Sequence, residues 1–156
     1  MVDESMESAF RRHADELTRF ATLLVGPGDA ADVVSEAFVS VFGAGAAHKF
    51  QNPRAVLFRA VQRRAVDHVR STHRRRSRES LHVQREPTPG VMDDGTPARA
   101  RAVLSVLSDQ QRAVVFLTYW CDLRPAEVAD VLGVREGTVR KQLARAGRRL
   151  REVLDD

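Results

Sequence analysis

Apolar residues recur along this chain at spacings of three and four, and no segment alternates strictly enough to read as a strand. From about Met6 to Leu24, the residues Phe10, Ala14, Leu17, Ala21 and Leu24 share one helical face. Gly26-Pro27-Gly28 stops that helix, and Asp29 stands where an N-cap for the next is expected. In that second helix Val33, Val34, Ala37, Phe38, Val41 and Phe42 line one side, with Asp32, Ser35, Glu36 and Ser40 off it. Gly43 to Ala47 is a small, flexible break. Asn52-Pro53 supplies a capping side chain followed by a proline at the first helical position. The third helix is predicted to run to about Arg75. Val56, Leu57, Ala60, Val61 and Val69 face inward, and Arg54, Arg59, Gln62, Arg63, Arg70 and Arg74 load the other side.

From Ser77 to Pro97 the periodicity disappears, and three prolines and two glycines mark a linker. Thr96-Pro97 opens another helix, with Val103, Leu104 and Leu107 apolar. Ser108 with Gln111 three residues later has the form of a capping box. The helix it opens contains Ala113, Phe116, Leu117 and Trp120. Leu123 to Leu150 then reads as a helix-turn-helix. Pro125 begins one helix, Val128, Val131 and Leu132 form its apolar side, Gly133 stops it, and Val134 plugs the turn. From about Glu136 a second helix places Val139, Leu143, Ala146 and Leu150 on one face. The expected fold is all-α. Two small helical domains, 1–76 and 98–156, are joined by a flexible linker, 77–97, and the second carries the helix-turn-helix.

Charge sharpens this picture. The 156 residues carry a net charge of +4, with a pI near 10.1, which points only weakly to a polyanionic partner. Its distribution says more. Residues 70–78 hold five arginines and no acid, and residues 124–151 hold eight bases against three acids. The outward face of the last helix offers Gly137, Lys141, Ala144, Arg145 and Arg148, cations with small gaps between them. A helix entering a major groove needs that combination of close approach and bidentate or phosphate-seeking side chains. The plain alternative is a solvated amphipathic helix, which the short glycine-centred turn argues against.

Catalysis finds little support. Histidines 13, 48, 68, 73 and 82 form no metal-ligand spacing. The single cysteine, Cys121, has no neighbouring base to activate it, forms no internal disulfide and fits a reducing cytoplasm. Asp93-Asp94-Gly95 reads as a turn. No cofactor or metal is expected. The N-terminus lacks a basic start followed by an apolar run, and no stretch approaches the roughly 20 apolar residues of a membrane span, so neither a signal peptide nor membrane insertion is expected.

On these residues the chain resembles a bacterial RNA polymerase sigma factor of the extracytoplasmic-function group. Asp29-Ala30-Ala31-Asp32-Val33-Val34-Ser35-Glu36-Ala37-Phe38 is similar to the family's polymerase-clamp helix. The resemblance implies core-polymerase binding by Asp32, Val33, Ser35 and Glu36. The helix from Asn52-Pro53 to Arg74-Arg75 is similar to the one that reads and opens the −10 element, and the preceding loop to the one that captures a flipped base. Lys49, Phe50, Gln51, Arg59, Gln62, Arg63, Arg70 and Arg74 are the residues it implies there. Gln111-Arg112, Glu127-Val128-Ala129, Leu132-Gly133-Val134, Gly137-Thr138-Val139 and Leu143-Ala144-Arg145-Ala146 stand where the family reads the −35 element. The implied contacts are Arg135, Gly137, Thr138, Arg140, Lys141, Ala144, Arg145 and Arg148.

The chain departs from the family at Ser35, where glutamine is usual, at Phe42 and Val56, where tryptophans are common, and at Arg63, where asparagine is frequent. Arg124 and Arg135 occupy the two N-cap positions of the helix-turn-helix, where serine or threonine is usual. A lost cap costs about 0.5–2 kcal/mol. The resemblance implies core RNA polymerase, promoter DNA and an anti-sigma protein as partners, and no enzyme activity. Two alternatives stay open on sequence: a helix-turn-helix regulator of another class, and a sigma-like antagonist that holds polymerase without opening DNA.

Overall fold

In the computed structural model, residues 6–43, 52–79 and 103–155 are described, and among them every regular element is a helix. The chain divides into two compact units, 1–90 and 91–156. The first contains α1 (Met6–Val25), α2 (Ala30–Phe42) and α3 (Pro53–Glu79), each packed against the other two. The second contains α4 (Asp109–Val115), which continues into a π-helical turn (Phe116–Trp120), then α5 (Pro125–Leu132) and α6 (Glu136–Leu154).

The first core is built from Leu17, Phe20 and Ala21 of α1, the apolar side of α2, and Leu57, Phe58, Val61 and Ala65 of α3. Phe20 and Phe58 meet edge to face, with centroids 5.4 Å apart. The buried stripe of α1 sits about one residue from the predicted one. Ala9 and His13 are buried, whereas Phe10 is 44% exposed and lies against Phe38 with centroids 4.8 Å apart. The fully buried Phe20 sets this roll, because the largest ring takes the deepest place. The same logic applies to α3, where Phe58 is fully buried and Val56 and Val69 are only half-buried.

Local signals decide the helix ends. Gly26 takes a left-handed φ of +88° and returns its N–H to Thr22 O at 2.9 Å. Asn52 Oδ1 accepts the Ala55 N–H at 3.2 Å, as an N-cap should. Asp29 does not cap α2. Its φ and ψ of −108° and −8° are not the extended backbone of a side-chain cap, and its carboxylate instead meets His68 Nε2 of α3 at 3.0 Å. At the far end α3 continues to Glu79, so residues 77–79, read from sequence as the start of a linker, are helical; residues 80–97 lie outside the described residues.

In the second unit the capping box forms: Gln111 N–H donates to Ser108 Oγ at 3.2 Å, and Ser108 N–H to Gln111 Oε1 at 3.0 Å. After Phe116 the helix widens. Cys121 N–H bonds to Phe116 O, five residues back, at 3.2 Å. An extra residue per turn rotates everything that follows it. That is why Trp120 is 54% exposed with its ring stacked on Phe116, and why Cys121 and Leu123 point inward. Gly133, at φ +67°, closes α5, and Val134 N–H reaches Ala129 O at 3.0 Å. Leu107, Val115 and Ala146 form a small core, with Leu104, Val106, Leu143 and Leu150 packed on it.

One polar contact pins α1 to α3. Arg54 Nε and Nη2 donate to the two oxygens of Glu16 at 2.8 and 2.9 Å, and the guanidinium lies 5.6 Å from the Phe58 ring centroid. Burial works to raise the Glu16 carboxyl, but the hydrogen bonds and charge of Arg54, helped by His13 at 3.2 Å, hold it below its ordinary value. A carboxyl lowered on folding contributes stability above its unfolded pKa and loses it as pH falls through the folded one. Glu16→Gln is therefore expected to destabilise the chain by about 1–3 kcal/mol near neutral pH. The gap to wild type should close in acid, where Glu16 itself is protonated. Denaturant unfolding of both proteins across pH 3–7 checks this, and a gap independent of pH would contradict it.

Candidate nucleic-acid interface

The helix α6 is divided into two opposed sides. Val139 and Ala146 are fully buried, and Leu143 and Leu150 half-buried beside them. On the other side Arg135, Gly137, Arg140, Lys141, Ala144, Arg145 and Arg148 are exposed, with Thr138 half-buried at its margin. All eight residues expected from sequence to read a −35 duplex therefore lie on one arc or at its edge. Their charges are not equivalent. Arg140 Nη2 is held by Glu136 Oε1 of its own helix at 2.6 Å. Lys141, Arg145 and Arg148 have no hydrogen bond or ion pair with any described residue, so their charge is available to a partner. Gly137 and Ala144 leave open ground between them, and a Cβ added at Gly137 would meet nothing within 4 Å.

The start of this element is weakly built. Arg135 has the extended φ and ψ of an N-cap (−80°, 151°) but no side-chain acceptor. Arg124 has the same defect at the start of α5, offset in part by Glu127, whose Oε1 accepts the Arg124 N–H at 3.3 Å. These positions carry cations where caps would be more stable.

A second basic face lies on α3. Arg59, Arg63, Arg70 and Arg74 follow one another at helical spacing along one stripe. Arg63, Arg70 and Arg74 are exposed, and Arg59 is half-buried with contacts of its own. Gln62 stands beside the stripe with its amide oxygen buried and unpartnered among the described residues. Farther along, Ser71, Arg74, Arg75 and Arg78 line an open groove of about 350 Å³. Lys49, Phe50 and Gln51 lie outside the described residues.

The α2 set separates. Asp32, Ser35 and Glu36 are exposed on one stripe, which Val39 continues at 62% exposure. Val33, expected with them, is only 2% exposed and belongs to the core of the first unit. Its apolar side chain follows the buried face rather than the charged one. Sequence reading also missed Val39 and the exposed Tyr119 and Trp120. A lone valine among polar residues carries no pattern, and the π turn that exposes Trp120 has no spacing signature. Among the described residues no three His, Cys, Asp or Glu side chains converge as metal ligands, and no helix is long and apolar enough to cross a membrane.

Known proteins are similar to this chain in sequence and fold. Residues 9–76 match the family description Sigma-70 region 2, and residues 98–150 match Sigma-70, region 4. The chain is 37% identical to an RNA polymerase sigma-E factor of Streptomyces avermitilis, over 96% of this chain and 84% of that protein. It is 31% identical to the ECF RNA polymerase sigma factor SigL of Mycobacterium tuberculosis, over 97% and 89%. Its fold is similar to the sigma factor RpoE solved with the anti-sigma factor NepR from Bartonella quintana. That similarity has a TM-score of 0.74 and 20% identity, and covers 96% of each chain. CnrH, solved with the cytosolic domain of CnrY, gives a TM-score of 0.66 at 24% identity, over 96% of this chain and 87% of that one.

The missing cap at α6 yields a direct expectation. Arg135→Ser supplies an acceptor where the backbone is already extended. It should raise stability by about 0.5–2 kcal/mol while removing one cation from the exposed arc. Thermal unfolding reads the first effect, and the salt dependence of DNA binding reads the second.

Proposed function

The chain belongs to the extracytoplasmic-function group of the sigma-70 family of RNA polymerase sigma factors, and from that premise we propose a division of labour between its two units. It is a sigma factor that binds core RNA polymerase and directs promoter recognition and transcription initiation. Its work is binding rather than bond chemistry, and we assign it no catalytic residue. It acts where core polymerase acts, in the cytoplasm, with promoter DNA and an anti-sigma protein as further partners.

The single observation that carries the DNA-reading part is the split of α6 into a buried apolar side and an exposed arc with three cations that have no partner among the described residues. In this reading Lys141, Arg145 and Arg148, with Arg135, Gly137, Thr138, Arg140 and Ala144 around them, face the −35 duplex. Sequence is read at base edges and register is set at phosphates. The stripe of Arg59, Gln62, Arg63, Arg70 and Arg74, with Lys49, Phe50 and Gln51 ahead of it, holds the −10 strand as it opens. Unstacked bases need donors, rings and a basic track there. Asp32, Ser35 and Glu36 meet the polymerase clamp. Val33 supports their helix from beneath.

Transcription from a promoter library with added core polymerase tests the reading as a whole. Lys141→Ala and Arg145→Ala should weaken recruitment to the −35 duplex, by about 1–3 kcal/mol where a base-edge bond is lost. Both variants should still open a template whose −10 region is already melted. Arg63→Ala and Arg70→Ala should leave closed-complex binding intact and lower open-complex formation. Filter binding and permanganate reactivity of unpaired thymines separate the two defects; one shared defect in all four variants would refute the division.

The clamp stripe has its own test. Asp32→Arg combined with Glu36→Arg should reduce affinity for core polymerase at least tenfold, roughly the effect of reversing two rim charges. Both side chains are exposed, so the protein should stay folded. Unchanged affinity in the folded double variant would remove α2 from the interface.

A further inference from the structure

A chain of amides runs from the start of α4 to the recognition helix α6. Ser108 N–H donates to Gln111 Oε1 at 3.0 Å. A backbone N–H can only donate, so that atom of Gln111 must be the oxygen, and its Nε2 is the donor at the other end. Gln111 Nε2 reaches Gln142 Oε1 at 3.4 Å. Gln142 Nε2 in turn donates to Gln110 Oε1 at 2.9 Å. Each link dictates the next, so one backbone N–H settles the orientation of three side-chain amides. Gln111 is buried and Gln110 exposed. The relay therefore passes through one buried amide and ends at the surface. Gln110 turns its oxygen to Gln142 and keeps its two Nε2 hydrogens for a partner that none of the described residues supplies.

The place where it ends gives the relay its meaning. Gln142 follows Thr138 by four residues and precedes Arg145 by three, so it flanks the cationic arc of α6. Arg149, seven residues farther along the same edge, donates to Val106 O at 2.8 Å. The edge of α6 is thus tied twice to the segment before and within α4. We propose that Gln110 is a DNA-backbone donor beside the recognition helix, aimed at a phosphate oxygen by the Ser108–Gln111–Gln142 relay, with Gln142 as the positioning residue. The proposal rests on the reading of α6 as the −35 helix. A neutral amide on a phosphate fixes register, carries no base information and displaces no counterion. That sets it apart from the arginines around it.

The test uses the full chain with core polymerase. The probe is the duplex that the wild-type complex selects from a pool randomised at −35, alongside duplexes with single base pairs of that element changed. Gln110→Ala should weaken filter binding about three- to tenfold, the loss of one hydrogen bond. The loss should be equal on every duplex, and the slope against salt should not change. Lys141→Ala should lower that slope and serves as the cationic comparison. Gln142→Met keeps the stem but breaks the relay, so it should reproduce the Gln110→Ala loss, and the double variant should lose no more than either single one. Wild-type affinity in folded Gln110→Ala overturns the proposal, as do losses that add in the double variant. A Gln142→Met defect confined to melting temperature also overturns it, leaving the relay a packing role. If the wild-type complex selects no −35 duplex at all, the reading of α6 fails first and the proposal falls with it.

Discussion

Burial of Val139 and Ala146 is the contact on which the second unit depends. Both are fully buried, and Ala146 joins α6 to Leu107 ahead of α4 and to Val115 within it. Full burial of a side chain such as Val139 contributes about 1.5–3 kcal/mol, and of a single methyl such as that of Ala146 about 0.8 kcal/mol. A unit of this size has few such contacts to lose. The helix it anchors is poor by local standards. It starts on an arginine with no capping oxygen, carries Gly137 in its first turn and has Gly147 farther on. Tertiary packing, not propensity, holds it. The same residues that weaken the helix leave its outer side open and positive, so helix stability and an open cationic face are in direct competition along α6.

The first unit resolves a related conflict by length. The fully buried residues of α3 end at Ala65, and only half-buried positions such as Val66, Val69 and Thr72 follow before Glu79. The helix extends well beyond its core, and what it carries there is arginine. Five guanidiniums without an acid repel one another, and the negative end of the helix dipole offsets part of that cost. Nearer the core the Glu16–Arg54 pair neutralises the first arginine of α3 and fixes that end of the helix to α1. Charge is cancelled where α3 packs and left open where it projects.

Much of this was legible from periodicity. The helices with clean apolar stripes, their glycine and proline boundaries, and the Ser108–Gln111 box all follow from spacing and side-chain chemistry. The two-sided character of α6 follows too, because burial of Val139 and Ala146 leaves Lys141, Arg145 and Arg148 only one direction to point. Other features depend on contacts that local pattern does not encode. Asp29 has the right identity for a cap, yet a histidine 39 residues away in sequence competes for its carboxylate. Phe20 and Phe58 decide the roll of two helices by meeting each other. The π turn after Phe116 shifts every later residue, so a period of 3.6 places Trp120 on the wrong side. The Gln110–Gln142 link needs the two helices already docked.

The distribution of sign completes the logic. A protein that must hold another protein and a polyanion needs surfaces that do not compete for one partner. Here the exposed stripe of α2 carries Asp32 and Glu36 with no base between them, while α3 and α6 carry the open cations. Phosphate is repelled by the first and drawn to the others, and a basic protein patch experiences the reverse. The modest net charge of +4 is therefore a sum of opposed surfaces rather than a weak version of one. Attraction to arbitrary DNA scales with the phosphates neutralised. The open cations of α3 and of α6 each add to that attraction, and the acidic stripe of α2 does not.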